Sequence, residues 1–439
     1  MNIGFDMTAI LGPGSKNRGI GNYALSLLTT MIDIDEDNRY YIFNVFEDFD
    51  IKPFLKNTKT ISSDYIYMGR NRELATDSHF RWIFAELLQN FLEKNKIDIF
   101  LITSPFEDNC FSYETTWFGN VKTVAIVYDI IPYLFREDYL GNEMVYKAYM
   151  DKLNKLKSMD KILAISTSVK NDLVNYLRFD QKKIEVIWGA PDKRFKKMEV
   201  PGECIKKLRE KFKIKRKFIM CTGGSDSRKN LLSLIHAYAI LPRELIEEYQ
   251  LAIVCKLSEE KEKYYHNIAL DYGVVDDVVL TNFVTDEEMV NLYSLASLVA
   301  FPSKYEGFGL PVVEAFACGV PVVTSNNSSL VEIAGDAATL VNPFDVKDIS
   351  DGIARALKKQ SNLEAIEKGY AQLKVYNWEN VAERAIEAMP SCSKTEYNFK
   401  HDVCLLEGKI FEVAERLFER TDYNADEIHR LAESLCKLQ

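Results

Sequence analysis

Short apolar runs alternate along this chain with longer stretches in which apolar residues recur every three or four positions. Runs of the first kind occupy residues 2–9, 40–46, 97–103, 121–127, 161–165 and 184–188 in the first half. In the second half they occupy 217–222, 250–255, 277–281, 297–301, 320–324 and 338–341. Runs this short, nearly continuous in Val, Ile, Leu and Phe, read as strands buried on both faces, and the stretches between them read as amphipathic helices. Strands alternating with helices predict parallel sheets covered by helices, an α/β fold.

The two series are separated by Trp188-Gly-Ala-Pro191 and by residues 205–217, where eight basic residues stand against one acid. We place a hinge near 192–216. The basic run has two readings, a surface for anionic lipid and a solvated linker helix, and its shortness favours the linker. The expected domains are 1–195, 210–375 and a crossover helix at 376–390. Residues 391–439 follow with two helical patterns, near 400–420 and 425–437, and no strand between them. This tail packs on the body, mediates association or leads into something further. No repeat or low-complexity segment interrupts the pattern.

Composition narrows the function classes. The 439 residues are 47% hydrophobic, enough for more than one core, and the formal net charge of −10 lacks the basic footprint of nucleic-acid binding. Eight cysteines form no CxxC pair, so reduced thiols in a reducing compartment are expected. The five histidines have no metal-ligand spacing. The N-terminus runs straight into the strand at 2–9, so no signal peptide is expected. No stretch reaches the roughly 18 apolar residues of a membrane span. A cytoplasmic protein follows as the expectation.

Four loops carry candidate chemistry. The most informative segment is Phe301-Pro-Ser-Lys-Tyr-Glu-Gly-Phe-Gly-Leu-Pro-Val-Val-Glu-Ala-Phe-Ala-Cys-Gly-Val-Pro-Val-Val323. It reads as a buried strand, a glycine loop and a short apolar helix opened by Pro311 and ended by Gly319, followed by another strand. The amides of Gly307, Phe308, Gly309 and Leu310 and the helix N-terminus would face an anion or sugar oxygens. Glu306 lies in the loop. Glu314 lies one turn into the helix, where a carboxylate can accept both hydroxyls of a ribose. A plain helix-dipole carboxylate is the competing reading for Glu314, but its apolar neighbours leave it in a setting that demands partners.

The second loop is Cys221-Thr-Gly-Gly-Ser-Asp-Ser-Arg-Lys-Asn-Leu231. Gly223 and Gly224 give it freedom of approach. Arg228 and Lys229 are placed at the start of a helix, where cations oppose the dipole unless an anion lies between them; a solvated charge pair is the competing reading. The third is Gly12-Pro-Gly-Ser-Lys-Asn-Arg-Gly-Ile-Gly-Asn22 before a helix, in which Gly19 and Gly21 would allow close backbone approach; a tight turn explains it nearly as well. The fourth is Val127-Tyr-Asp-Ile-Ile-Pro132, which puts Asp129 at the carboxyl end of a strand, where α/β folds keep their sites. A local turn role serves Asp129 equally well. The Asp-x-Asp pairs at Asp33/Asp35, Asp35/Asp37 and Asp48/Asp50 fall in polar turns, and no essential metal is expected.

The 301–323 segment resembles the signature of family-four glycosyltransferases, with two glutamates eight apart around Gly-Phe-Gly-Leu-Pro. The likeness extends through Asn282-Phe-Val-Thr-Asp-Glu-Glu-Met289, Leu330-Val-Glu-Ile-Ala-Gly-Asp-Ala337 and the Gly-Gly-x-Asp-x-Arg-Lys-Asn pattern at 223–230. Looser likeness lies in the glycine loop at 19–21, in Ala164-Ile-Ser-Thr-Ser-Val-Lys170, where Ser166 or Thr167 reads best as a helix cap, and in Tyr376-Asn-Trp-Glu-Asn380. It covers about residues 1–390 and leaves the tail unexplained.

The resemblance implies the GT-B architecture, two Rossmann-like domains facing a central cleft, with the acceptor on the first domain and a nucleotide sugar on the second. It implies retention at the anomeric carbon. Glu306 would contact the transferred sugar, Glu314 the donor ribose, and Arg228 and Lys229 the diphosphate. The loop amides at 307–310, with Gly19, Gly21, Gly223 and Gly224, would complete the donor site. Asp129 would join Glu306, Arg228 and Lys229 in catalysis. Many relatives carry His where this chain has Tyr128, which puts a histidine-dependent mechanism in doubt.

No cofactor is implied beyond a GDP- or UDP-linked sugar as substrate; mannose is the first expectation. The acceptor implied is a glycan or lipid-linked glycan, which would bring peripheral contact with the inner face of the membrane. The alternatives are a sugar-nucleotide epimerase, which the 301–323 segment does not resemble, and a non-catalytic partner subunit. A nicotinamide dehydrogenase lacks its GxGxxG after a strand.

Overall fold

The computed structural model describes residues 1–16, 18–46, 49–56, 61–65, 78–107, 112–391, 396, 397 and 399. The helical patterns expected near 400–420 and 425–437, and Asp48, lie outside the described residues.

The chain forms two compact units. The first comprises Met1–Ile165, Lys170–Ile187 and the chain from Val381 onward; the second comprises Ser166–Val169 and Trp188–Asn380. The first unit holds strands β1 (Asn2–Asp6), β2 (Arg39–Asn44), β3 (Ile61–Tyr65), β4 (Ile99–Ile102), β5 (Lys122–Val127), β6 (Lys161–Ala164) and β7 (Ile184–Val186). They make one parallel sheet in the order 3-2-1-4-5-6-7. The second unit holds β8 (Lys217–Thr222), β9 (Tyr249–Val254), β10 (Val278–Leu280), β11 (Leu298–Phe301), β12 (Val322–Ser325) and β13 (Thr339–Val341). Their order is 10-9-8-11-12-13, also parallel. Both are Rossmann-like sheets, in which the winding reverses next to the first strand of the unit.

Every apolar run named from the sequence contains a strand. β3 is the one strand the pattern did not show, because Ile61-Ser-Ser-Asp-Tyr65 has no apolar run and is held by its five-residue register with β2. The middle strands are buried along their length: β4, β9, β11 and β12 have no exposed residue. In the second unit Ile219, Leu251, Ile253 and Leu298 pack with Leu234, Ile235 and Tyr238 of the helix Leu231–Ala239 and with Ile349 and Ile353 of the helix Val346–Ala356. Local signals agree with this packing: the helix Asp286–Leu295 starts in a capping box, with Thr285 and Glu288 each bonding the other's backbone N–H.

The basic run forms the helix Gly202–Phe212 and leads into β8. Several of its cations find acids: Lys207 pairs with Glu203, Lys211 with Glu288, Lys217 with Glu248 and Arg216 with Asp277. The chain passes from the first unit to the second at Ile187–Trp188 and back at Asn380–Val381, inside the helix Trp378–Glu387. Trp378 Nε1 donates to Pro191 O in the second unit (2.9 Å), and Arg384 Nε donates to Val186 O in the first (2.7 Å). Among the described residues no helix is long and apolar enough to cross a membrane, and Cys204, Cys221, Cys255 and Cys318 are free thiols.

Candidate functional site

In the second unit the loops after β8 and β11 leave neighbouring strands at the point where the winding reverses, the place where an α/β sheet opens a crevice. β8 ends at Thr222. Gly223 follows with φ +126°, a conformation that favours glycine, and Asp226 caps a 3₁₀ turn over Ser227–Lys229 by accepting the N–H of Arg228 (3.0 Å). Arg228 and Lys229 therefore stand on a tight turn before the helix rather than at its start; the helix begins at Leu231, after Asn230 takes a left-handed conformation (φ 61°). That corrects the sequence expectation. The turn ends in the small polar residue that tolerates such a φ best after glycine, and its side chain is then free to work. Buried Asn230 donates to Pro302 O (3.0 Å) and Pro343 O (2.7 Å), tying the loops after β8, β11 and β13 together.

The loop after β11 brings Glu306 to the two cations. Arg228 Nη1 lies 2.6 Å from Glu306 Oε2, and Lys229 Nζ lies 2.6 Å from Oε1. Ser303 Oγ donates to Oε1 as well (2.6 Å). The Glu306 side chain is only 9% exposed and that of Lys229 11%. Burial pushes the Glu306 carboxyl upward, but the charges of Lys229 and Arg228 outweigh it and hold it below the usual range. Of the two readings open to Arg228 and Lys229, a bound anion or a solvated charge pair, the first is met, among the described residues, by a carboxylate of the protein.

The helix Leu310–Ala317 starts as expected, with Pro311 in its first turn and Gly309 before it at φ +117°. A Cβ on Gly309 would come within 2.7 Å of Leu330 Cδ2, so both backbone and space call for glycine. Gly319 closes the helix at φ +70°. Glu314 is mostly buried, and Tyr293 of the helix Asp286–Leu295 donates its hydroxyl to Oε2 (2.7 Å). Burial raises its carboxyl to about 7 despite that bond, and the charge of Asp192 adds to the rise. The loop between is braced from behind: Ser329 Oγ lies 2.9 Å from Glu306 O and 2.7 Å from Phe308 O, and Ser166 Oγ donates to Gly307 O (2.7 Å) while accepting the N–H of Val169 (3.1 Å). Ser166 thus is the cap the sequence suggested and holds the signature loop too.

In the first unit the loops after β1 and β4 flank the equivalent reversal. Here the sequence reading missed Glu107. Its buried carboxylate accepts the N–H of Gly14 (2.5 Å) and the hydroxyl of Ser15. A Cβ on Gly12 or Gly14 would fall within 3 Å of Glu107 Oε1. Gly21 lies in the first turn of the helix Gly19–Ile34, where a Cβ would meet Ser15 O at 2.8 Å; Gly19 opens that helix at the surface. Asp129 accepts the N–H of Ile131 (2.9 Å), the local turn role foreseen for it. Tyr128 is buried, donates to Thr103 O (3.0 Å) and packs edge-on against Tyr23, and burial pushes its hydroxyl far above its ordinary range. Asp35 holds Asn38 and Tyr40, so that acidic pair belongs to a turn.

Residues 205–372 match the family model described as glycosyl transferases group 1. The serotype-specific mannosyltransferase WbdA of Escherichia coli is 31% identical over 386 residues, 85% of this chain and 46% of that protein. The O-antigen chain mannosyltransferase B of Escherichia coli is 32% identical over 244 residues, 55% of this chain and 63% of that one. The chain therefore spans less than half the length of WbdA. Anabaena HepE, solved with UDP-glucose, superposes with a TM-score of 0.63 at 16% identity, covering 88% of this chain and 98% of that one, which shows a shared GT-B fold. Residues 205–372 of this chain thus form a group 1 glycosyltransferase domain within its second unit, where the family model and the cluster around Glu306 coincide.

Proposed function

We propose that this chain is a retaining, metal-independent glycosyltransferase that moves a hexose, mannose first, from a nucleotide diphosphate sugar to a glycan acceptor. The observation that carries it is the meeting of Arg228, Lys229 and Glu306 at the reversal of the second sheet, with Glu314 one helical turn beyond. Two cations on a pinned turn suit a departing diphosphate. Glu314 suits ribose hydroxyls, and Glu306 with the amides of Gly307–Leu310 suits the sugar. Gly223 and Gly224 let the diphosphate approach the turn, and Gly19 and Gly21 lend the same freedom to the first-unit loop. The first unit takes the acceptor, and Asp129 serves that side. The mannosyl donor and glycan acceptor rest on WbdA and mannosyltransferase B, and the nucleotide-linked sugar on HepE. A lipid-linked acceptor would place the protein at the inner face of a membrane, and residues 391–439 would mediate association.

The chemistry is a front-face substitution. The bond from the anomeric carbon to the diphosphate oxygen breaks, its electron pair stays on the phosphate, and the acceptor oxygen bonds the same face while its proton passes to that phosphate oxygen. Catalysis then comes from positioning and from stabilising the leaving charge. Tyr128, buried with a raised hydroxyl, is unsuited to act as a base near neutral pH.

The test is thermal denaturation with GDP, UDP, ADP and their sugar conjugates, with and without EDTA. A ligand at about 100 times its dissociation constant adds about 2.7 kcal/mol to the folded state. The proposal expects stabilisation by one base, insensitive to EDTA, and sugar transfer from its conjugate that drops about 10²–10³-fold in kcat in Arg228→Ala or Lys229→Ala. No stabilisation by any nucleotide would favour the non-catalytic partner subunit.

A further inference from the structure

We propose that Glu306 is an internal anion, holding the cations of the diphosphate site in the empty protein and exchanging with the diphosphate when donor arrives. The inference rests on the diphosphate reading of Arg228 and Lys229 given above. Both oxygens of the carboxylate are engaged: Oε1 by Lys229 Nζ and Ser303 Oγ, each at 2.6 Å, and Oε2 by Arg228 Nη1 at 2.6 Å. The three charged side chains are between 9% and 20% exposed. Arg228 and Lys229 so placed cannot stay without a counter-charge, because a buried cation that has lost its partner is strongly unfavourable. With no donor in place, Glu306 is the counter-charge the two cations share, and Asp226 Oδ1 also lies 3.6 Å from Arg228 Nε.

A diphosphate asks for the same donors. It carries more negative charge than a carboxylate and offers oxygens that suit the guanidinium fork. The Glu306 carboxylate and a diphosphate side by side in a largely buried site would repel each other. Donor binding therefore breaks the Glu306 pairs, and the released carboxylate must find new donors. Sugar hydroxyls are donors of the right kind, and Glu306 is adjacent to the Gly307–Leu310 loop assigned to the sugar. The exchange thus couples arrival of the diphosphate to release of the sugar-binding carboxylate. A bare nucleotide would displace Glu306 and leave it unsatisfied, whereas a nucleotide sugar would displace it and satisfy it.

The consequence runs against the usual effect of removing a binding residue. Glu306→Gln keeps the shape and removes the charge that Arg228 and Lys229 share, while Asp226 stays beside Arg228. It should bind GDP, UDP and inorganic pyrophosphate about tenfold or more tightly than the natural protein, because the Glu306 pairs no longer have to be broken. At the same time transfer should fall, and the preference for nucleotide sugar over bare nucleotide should shrink. Titration calorimetry of the full chain with pyrophosphate and with each nucleotide, free of divalent metal, reads this directly. If Glu306→Gln fails to fold, as a melting curve would show, Ser303→Ala serves instead. It loosens the carboxylate without removing it, and about two- to fivefold tighter pyrophosphate binding is expected. Binding of pyrophosphate to a folded variant that is equal to or weaker than that of the natural protein overturns the exchange while leaving the donor site standing. No binding of pyrophosphate or any nucleotide to either form overturns the donor reading and the exchange together.

Discussion

Glu306 and Glu314 stand eight residues apart, and their environments drive their carboxyl groups in opposite directions. Glu306 meets two cations and stays ionised; Glu314 meets a tyrosine hydroxyl in an apolar setting and rises to about 7. The apolar surroundings of Glu314 were legible in Val312, Val313, Ala315, Phe316 and Ala317. Tyr293, which lies 21 positions earlier, was not. In the unfolded chain a glutamate titrates near 4.3. Between that pH and about 7 the folded protein therefore binds more protons at Glu314 than the unfolded chain does, and the stability this site contributes falls as pH rises across the window. Glu314→Gln should flatten that fall, seen as denaturant midpoints at pH 5, 6.5 and 8 that differ less than those of the natural protein. Ribose hydroxyls donate to the ionised carboxylate, so nucleotide affinity should rise with pH through 7 in the natural protein. In Glu314→Gln it should be weaker and level over that range. An unchanged affinity in the variant would sink the ribose role.

At the scale of elements, the segment from β11 to β12 shows how much a local pattern can specify. Pro311 at the helix start, Gly319 beyond its end and the apolar run between them are local signals, and the helix Leu310–Ala317 obeys them. Gly309 is different: its φ favours glycine on local grounds, while its contact with Leu330 comes from a residue beyond the next strand. Gly309→Ala should destabilise the protein by about 1–3 kcal/mol through backbone strain, measured by denaturant unfolding. It should weaken nucleotide binding beyond that, because the helix N-terminus shifts. The loop after β1 was the harder case. Its glycines read as freedom to approach a ligand, yet Gly12 and Gly14 are also demanded by the Glu107 carboxylate, and Gly21 by Ser15 O. A glycine needed for space inside the protein and one needed for a ligand have the same signature in sequence. β3 was missed for a related reason: an edge strand is recruited by its neighbour's backbone and needs no apolar run.

For the molecule as a whole, two parallel sheets share one winding, and each reverses beside its first strand. That topology predicts where a ligand acts. Hydrogen exchange with saturating nucleotide should slow the amides of residues 223–231 and 307–314, which flank the reversal of the second sheet. It should leave β10 and β13 at the edges unchanged. Protection spread evenly over the second unit would point to general stiffening instead of a site.

The amino-acid sequence by itself determined the α/β class, twelve of the thirteen described strands, the short helix between Pro311 and Gly319, and the residue types at the group 1 signature. These are local matters of periodicity, capping and composition, and the chain carries them wherever it goes. Only the tertiary structure decided that Glu306 sits on Arg228 and Lys229, that Tyr293 caps Glu314, that Asn230 ties three loops and that Glu107 clasps the loop after β1. Each of these pairs is separated by 21 to 113 positions and brought together by strand order. A contact made by crossing from one strand end to the next leaves no period in the sequence, because the hydrogen bond depends on where the sheet turns and not on what stands beside it in the chain.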